Sequence, residues 1–148
     1  MSATVAMARI TDEAIRPEPL LDAVAADGHG AALLFLGTVR DHADGRPVSG
    51  MRYEAYVEMA EKVMHAITRE AAERLDAGAV AVVHRIGTLD LREASVGIAV
   101  ASPHRAPAYD MNRWIIEEIK KRLPVWKHEH YADGDTAWVD GVPLEADA

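Results

Sequence analysis

From residue 58 to residue 75 the apolar positions Ala60, Val63, Met64, Ile67, Ala71 and Leu75 recur at spacings of three and four, with Gly78 beyond them. That period predicts an amphipathic helix with its stop. A second helix is predicted over residues 107–122, with Ala108, Met111, Ile115 and Ile119 on one face. Pro124 ends it, because proline lacks an N–H for the ladder and pushes Leu123 out of helical geometry. A smaller helix is predicted near Pro17 and Pro19, running through Leu20, Leu21 and Val24 to Gly28.

Strand patterns fill the intervals. Residues 5–10 form a short first strand. Residues 31–40 (AALLFLGTVR) are a continuous apolar run ending in a charge, the pattern of a strand buried on both faces. Residues 51–57 (MRYEAYV) alternate, and the turn formers DHADGRPVS before them predict a hairpin with a long polar loop. Residues 79–86 and 95–101 are β-rich and are expected to pair. Residues 125–131 and 137–139 are short strands around the turn ADGD. Repeats and linkers are absent, and strands mix with helices without strict βαβ alternation. The expectation is therefore one α+β domain over residues 1–148, with a mixed or antiparallel sheet and two long helices.

Composition narrows the function. Hydrophobic residues make up 49% and charged residues 27% of 148, which is ordinary for an ordered globular chain. No apolar run approaches the ~20 residues of a membrane span, and the first residues lack a basic start followed by a long apolar stretch. A cytoplasmic location without membrane attachment is expected. Sixteen Lys plus Arg against 24 Asp plus Glu give −8, which argues against affinity built on nucleic-acid phosphates. With no cysteine in the chain, thiolate nucleophiles, disulfides and Cys-ligated metals are excluded. Any sulfur chemistry must then use sulfur brought by another molecule.

Three of the four lysines, Lys120, Lys121 and Lys127, lie in the single stretch KKRLPVWKHEH. Lys120, Lys121 and Arg122 read either as a solvated cap on a helix C-terminus or as part of a site. No helix end explains Lys127, which shares a pleat face with Val125, Glu129 and Tyr131. Partial desolvation of such a lysine lowers its pKa toward the range of a base or nucleophile. Ser102-Pro103-His104-Arg105 lies between a strand and a helix, where free helix N–H groups and Arg105 could hold a phosphate or carboxylate, or Ser102 could simply cap the helix. Arg40 ends a buried strand at the mouth of a polar loop. His128 and His130 could join His84 or His104 on a metal, but no third ligand has a characteristic spacing, so partly buried, hydrogen-bonded histidines are the favoured reading and no metal is expected. Gly37, Gly87 and Gly134 form no nucleotide-binding pattern, and no cofactor is expected.

Taken in order, the segments LFLGTVRDH, MRYEAY with a following MA, VVHRIGTL, VASPHRAPAY and KKRLPVWKHEHYADGDTAWV resemble the large, catalytic subunit of the molybdopterin synthase family, from about residue 5 to residue 139. The diagnostic part is S-x-HR followed by K-x-R-x-P-x-WK-x-E. The resemblance implies an α/β-hammerhead-type fold and an enzyme that installs the dithiolene sulfurs of molybdopterin on cyclic pyranopterin monophosphate. The sulfur would come from the C-terminal thiocarboxylate of a small ubiquitin-like carrier subunit, whose tail enters the active site. The assembly implied is a homodimer of large subunits with a carrier at each end, a heterotetramer. The chain ends EADA and lacks a terminal Gly-Gly, as expected of the acceptor and not the carrier. By resemblance the catalytic lysines are Lys127 and Lys120, and the substrate contacts are Thr38, Val39, Arg40, His104, Arg105, Lys120, Lys127, His128 and Glu129. Arg40, His104 and Arg105 would form one anion site. Arg92 stands where the family usually has a turn glycine. The alternative from another class is a non-catalytic oligomeric module that uses the same cations merely to hold an anionic metabolite.

Overall fold

The computed structural model describes residues 3–139. Along the chain come β1 (Thr4–Thr11), α1 (Pro17–Val24), β2 (Ala31–Thr38), β3 (His42–Ala43), β4 (Arg46–Ala55) and α2 (Val57–Leu75). They are followed by β5 (Ala79–Arg85), β6 (Gly87–Asp90), β7 (Ala94–Ser102), α3 (Arg105–Arg122), β8 (Val125–Tyr131) and β9 (Thr136–Val139). The class is α+β with two long helices, and the strands divide between two sheets. The first is mixed, in the order β1-β5-β7-β2, with β1 parallel to β5 and the other pairs antiparallel. The second is antiparallel, in the order β3-β4-β8-β9, with β6 also paired to β4.

Period-2 alternation explains how the first sheet acquires two covered faces. Along β5, Val80 and Val82 join Met64 and Ile67 of α2 and Ile115 of α3 in the main core, while Ala79, Ala81 and Val83 meet Leu20 and Val24 of α1. Strand β7 lies between β5 and β2 and is buried at every position. Each helix contributes the apolar stripe that its sequence predicts.

Three expectations need correction. The hairpin between the strands at 31–40 and 51–57 does not form. Strand β2 pairs with β7 in the first sheet and β4 lies in the second, because the Asp44-Gly45 dipeptide, with φ of 50° and 77°, closes a tight β3–β4 hairpin inside the polar segment. Strand β2 is not buried on both faces, since it is an edge strand and Phe35 remains 37% exposed. Helix α1 stops at Val24, short of Gly28, because Ala25 already takes an extended conformation. Among the described residues no helix is long and apolar enough to cross a membrane.

Candidate active site

A cleft opens where the C-terminal part of α3 passes between the two sheets. One lobe, bounded by His84, has a volume of about 220 Å³ and the other, running to Arg40, about 180 Å³. Tyr53, Ser95, Val96, Ile116, Lys120 and Lys127 line both lobes, so the two are one continuous space joined at the lysines. The Arg40 lobe continues along Phe35, Thr38, Val39 and Arg40 to Glu129, and the other lobe is bounded by His84.

Local geometry dictates which side chains arrive here. On α3 and its C-cap, Ile116, Ile119, Lys120 and Leu123 follow at spacings of three, one and three, which is one helix face, and all four line the His84 lobe. On β8, Lys127 lies directly opposite Tyr53 of β4, and Glu129 opposite Met51. Opposed residues of an antiparallel pair share a face, so these four turn toward the cleft. His128 lies opposite Arg52 on the other face, stacked on Trp138 with ring centroids 4.4 Å apart.

The electrostatics are one-sided. Among the described residues, no ion pair involves Arg40, Lys120 or Lys127. Water reaches Lys120 from the open side, yet protein crowds its ammonium. That burial, then the neighbouring charges of Lys127 and Arg40, holds its pKa below the ordinary lysine value. Tyr53 is pushed up, first by burial; Ser95 beside it opposes the shift, and its hydroxyl also donates to the Gly37 carbonyl at 3.3 Å. Glu129 is 8% exposed and accepts a 2.6 Å hydrogen bond from the Tyr131 hydroxyl. A space lined by cations with a polar floor and apolar walls is suited to binding an anion and stabilising negative charge that develops on it.

Thr38, Val39, Arg40, Lys120, Lys127 and Glu129 therefore come together. His104 and Arg105 do not join them within one chain. They start α3, and Arg105 lies about 22 Å along the helix axis from Lys120 at 1.5 Å per residue. The cap reading of Ser102 also fails: His104 is the N-cap residue, no side chain caps the helix, and the Ser102 hydroxyl donates to the His104 carbonyl. His128 belongs to the outer face with His130 and Trp138. Of the cleft residues, sequence reasoning missed Phe35, Tyr53, Ser95 and Ile116, and it considered His84 only as a metal ligand. The one available signal was alternation, which puts Tyr53 on the inward face of MRYEAYV.

Comparison with known proteins gives consistent matches. The family model described as MoaE protein matches residues 10–122. A molybdopterin synthase catalytic subunit of Halalkalibacterium halodurans is 42% identical over 136 residues, covering 92% of this chain and 86% of the relative. That of Bacillus subtilis is 41% identical over 139 residues, covering 94% and 87%. The crystal structure of molybdopterin synthase from Staphylococcus aureus superposes with a TM-score of 0.85 at 37% identity, covering 90% of this chain and 96% of that one.

Proposed function

The chain belongs to the MoaE protein family, and we propose that its cleft is where sulfur passes from the thiocarboxylate of a small ubiquitin-like carrier to cyclic pyranopterin monophosphate, forming the dithiolene of molybdopterin. The enzyme is a sulfurtransferase of molybdenum cofactor biosynthesis. The observation that carries this reading is the cluster of Lys120 and Lys127 at the join of two lobes with Arg40 lining one of them, without carboxylate partners among the described residues, in a chain of net charge −8. Both reactants are anions. The cluster attracts them, and two connected lobes admit two molecules whose reacting atoms meet at the lysines.

Lys127 stands at the junction and stabilises the charge that develops as the thiocarboxylate sulfur attacks a substrate carbon. Lys120 has a depressed pKa, which suits it to give up and regain a proton during turnover. Thr38, Val39 and Arg40 hold the substrate at the lip, and Glu129 orders the wall beside Lys127. The outer-face position of His128 gives it a supporting role through the strand, short of direct contact.

The separation of Arg105 from Lys120 gives the homodimer a purpose. One copy's α3 start, with His104 and Arg105, reaches the open cleft of the other and supplies the remaining phosphate contacts. Arg105→Ala then weakens precursor binding by roughly 1.5–3 kcal/mol, the worth of one charge-assisted hydrogen bond, while the monomer's fold is unchanged. Unchanged calorimetric affinity, or a monomer by light scattering at micromolar concentration, would remove the shared site. The activity itself is tested by incubating the purified chain with thiocarboxylated carrier and the pyranopterin precursor. Dithiolene product is expected, and it should disappear when the last two carrier residues are deleted. A folded chain that binds precursor but forms no product overturns the reading.

A further inference from the structure

The larger lobe of the cleft is bounded by a histidine that neither lysine chemistry nor substrate binding uses. His84 is 6% exposed, on β5, and lines the lobe together with Tyr53, Ser95, Lys120 and Lys127. Its Nδ1 lies 3.0 Å from the Arg85 carbonyl oxygen. A carbonyl only accepts, so Nδ1 carries the proton. In the neutral ring Nε2 is then a bare lone pair, and no described residue donates to it. The ring is held edge-on against Tyr53 with centroids 5.4 Å apart at 68°. Tautomer and orientation are thus both fixed by the fold.

Sulfur transfer from a thiocarboxylate leaves a chemical debt that the lysines do not settle. When the sulfur bonds to the substrate carbon, the carrier's acyl group remains attached to that sulfur as a thioester. The acyl–sulfur bond must still be cleaved by water. We propose that His84 is the general base of this hydrolytic half-reaction, taking a proton through Nε2 from a water held beside it in the cleft. The proposal rests on the sulfur-transfer reading given above. In the step, the water oxygen bonds to the acyl carbon, the acyl–sulfur bond breaks, and its electron pair leaves on sulfur as the substrate's thiolate. One water proton goes to Nε2 and from there to solvent. The other is lost when the carrier's new carboxylic acid ionises. No oxidant, reductant or further reactant is needed.

Every element packed around the ring contributes to this role. The Arg85 carbonyl on β5 fixes the tautomer, and Tyr53 on β4 and Ser95 on β7 offer hydroxyls to orient water. Lys120 on α3 and Lys127 on β8 place positive charge beside the thiolate as it leaves. Burial, and then those two ammoniums, pushes the His84 pKa down to about 4, so the ring is neutral and able to accept at neutral pH. Bound anions offset the lysine charges, which raises the basicity of Nε2 when the thioester occupies the cleft.

The experiment compares wild type with His84→Asn, whose amide NH₂ can replace the Nδ1–H donor while removing Nε2. Thiocarboxylated carrier and pyranopterin precursor are mixed in a single turnover, and the carrier's mass is followed. The expected result is that the carbon–sulfur bond forms at a rate within about twofold of wild type, whereas the carrier–pterin adduct decays ~10²–10⁴-fold more slowly and accumulates. His84→Gln, which keeps a polar atom near Nε2, serves if the Asn variant does not fold, with the same adduct expected. A folded variant that clears the adduct at the wild-type rate overturns the proposal. So does one in which bond formation and hydrolysis slow equally. Failure of wild type itself to form product would instead strike the sulfur-transfer reading.

Discussion

Lys120 and Arg122 are two residues apart on one helix and live in opposite electrostatic worlds. Arg122 faces outward, forks onto Glu70 at 2.9 and 3.0 Å, and also donates to Glu118 at 3.2 Å. Glu70, then Glu118, raises its pKa. Lys121 likewise finds Glu118 at 3.4 Å. Lys120 faces the cleft, where its nearest charged companions are Lys127 and Arg40, and its pKa falls. The outer face completes its ion pairs from within the chain, and among the described residues the cleft does not. Carboxylates are abundant in this chain, so three cations left together without one among the described residues are a feature of the site, and an arriving anion would stabilise them. The contrast also divides the KKR run: the solvated-cap reading fits Lys121 and Arg122, and the site reading fits Lys120.

The most severe way to break the contrast is to remove a cleft cation. Lys127→Ala should lower dithiolene formation by about 10³-fold, within the range seen when a single charge-stabilising group is lost, while thermal unfolding shows a fold intact. A variant near wild-type activity would make the cluster incidental. The equivalent Arg122→Ala on the outer face should leave turnover within about twofold.

Acid acts on the His84 side of the same cleft. His84 has its folded pKa lowered to about 4 from 6.5, so below pH 6.5 the unfolded chain takes up a proton that the folded chain refuses. Stability contributed by the neutral ring is complete above pH 6.5 and is lost as pH falls toward 4, on the order of 3 kcal/mol from this group. Denaturant titrations of wild type and His84→Gln over that window test it. Parallel curves for the two proteins would contradict the assignment.

How much of this was legible beforehand follows from the range of the interactions. Helices α2 and α3, strand β8 and the pairing of β5 with β7 are local or nearly local patterns of apolar spacing, and they read directly. Alternation likewise put Lys127 and Glu129 on one face. The division into two sheets was not legible, because β2 chooses β7, some sixty residues away, over its sequence neighbour β4. The same long-range choice brings Arg40 to Lys120. Helix length alone separates Arg105 from Lys120, but only once the helix is known to run its full course. His84 was visible as a histidine in a strand. Its role depends on Tyr53, Ser95 and the lysines, which meet through tertiary packing.

A milder test addresses the outer face. Glu70→Gln removes the carboxylate under Arg122, whose side chain is 32% exposed against 37% for Glu70. Water screens a pair that open, so the loss should be only about 0.5–1 kcal/mol in urea denaturation, with activity unchanged. A loss several times larger would mean that the pair is coupled to the cleft through α3, and the two faces would no longer be independent.

An effect of similar size and opposite sign concerns the turn beside Arg40. Arg92 has φ of 72°, a left-handed conformation that is unfavourable for any residue with a Cβ. The strain is maintained because this turn clamps the chain before Arg40: the Arg92 N–H donates to the Val39 carbonyl at 2.8 Å, and the Val39 N–H donates to the Glu93 carbonyl at 3.0 Å. Arg92→Gly relieves roughly 1–2 kcal/mol of backbone strain. It returns roughly 0.4–1 kcal/mol by loosening the unfolded chain. A net stabilisation of about 0.5–1 kcal/mol is expected, with sulfur transfer unaltered because both clamp bonds are made by the backbone. Arg92→Ala keeps the Cβ and so should gain nothing. Equal stabilities of the Gly and Ala variants would show that the conformation carries no strain, and a fall in activity with Gly would show that rigidity of this turn is what keeps Arg40 in place.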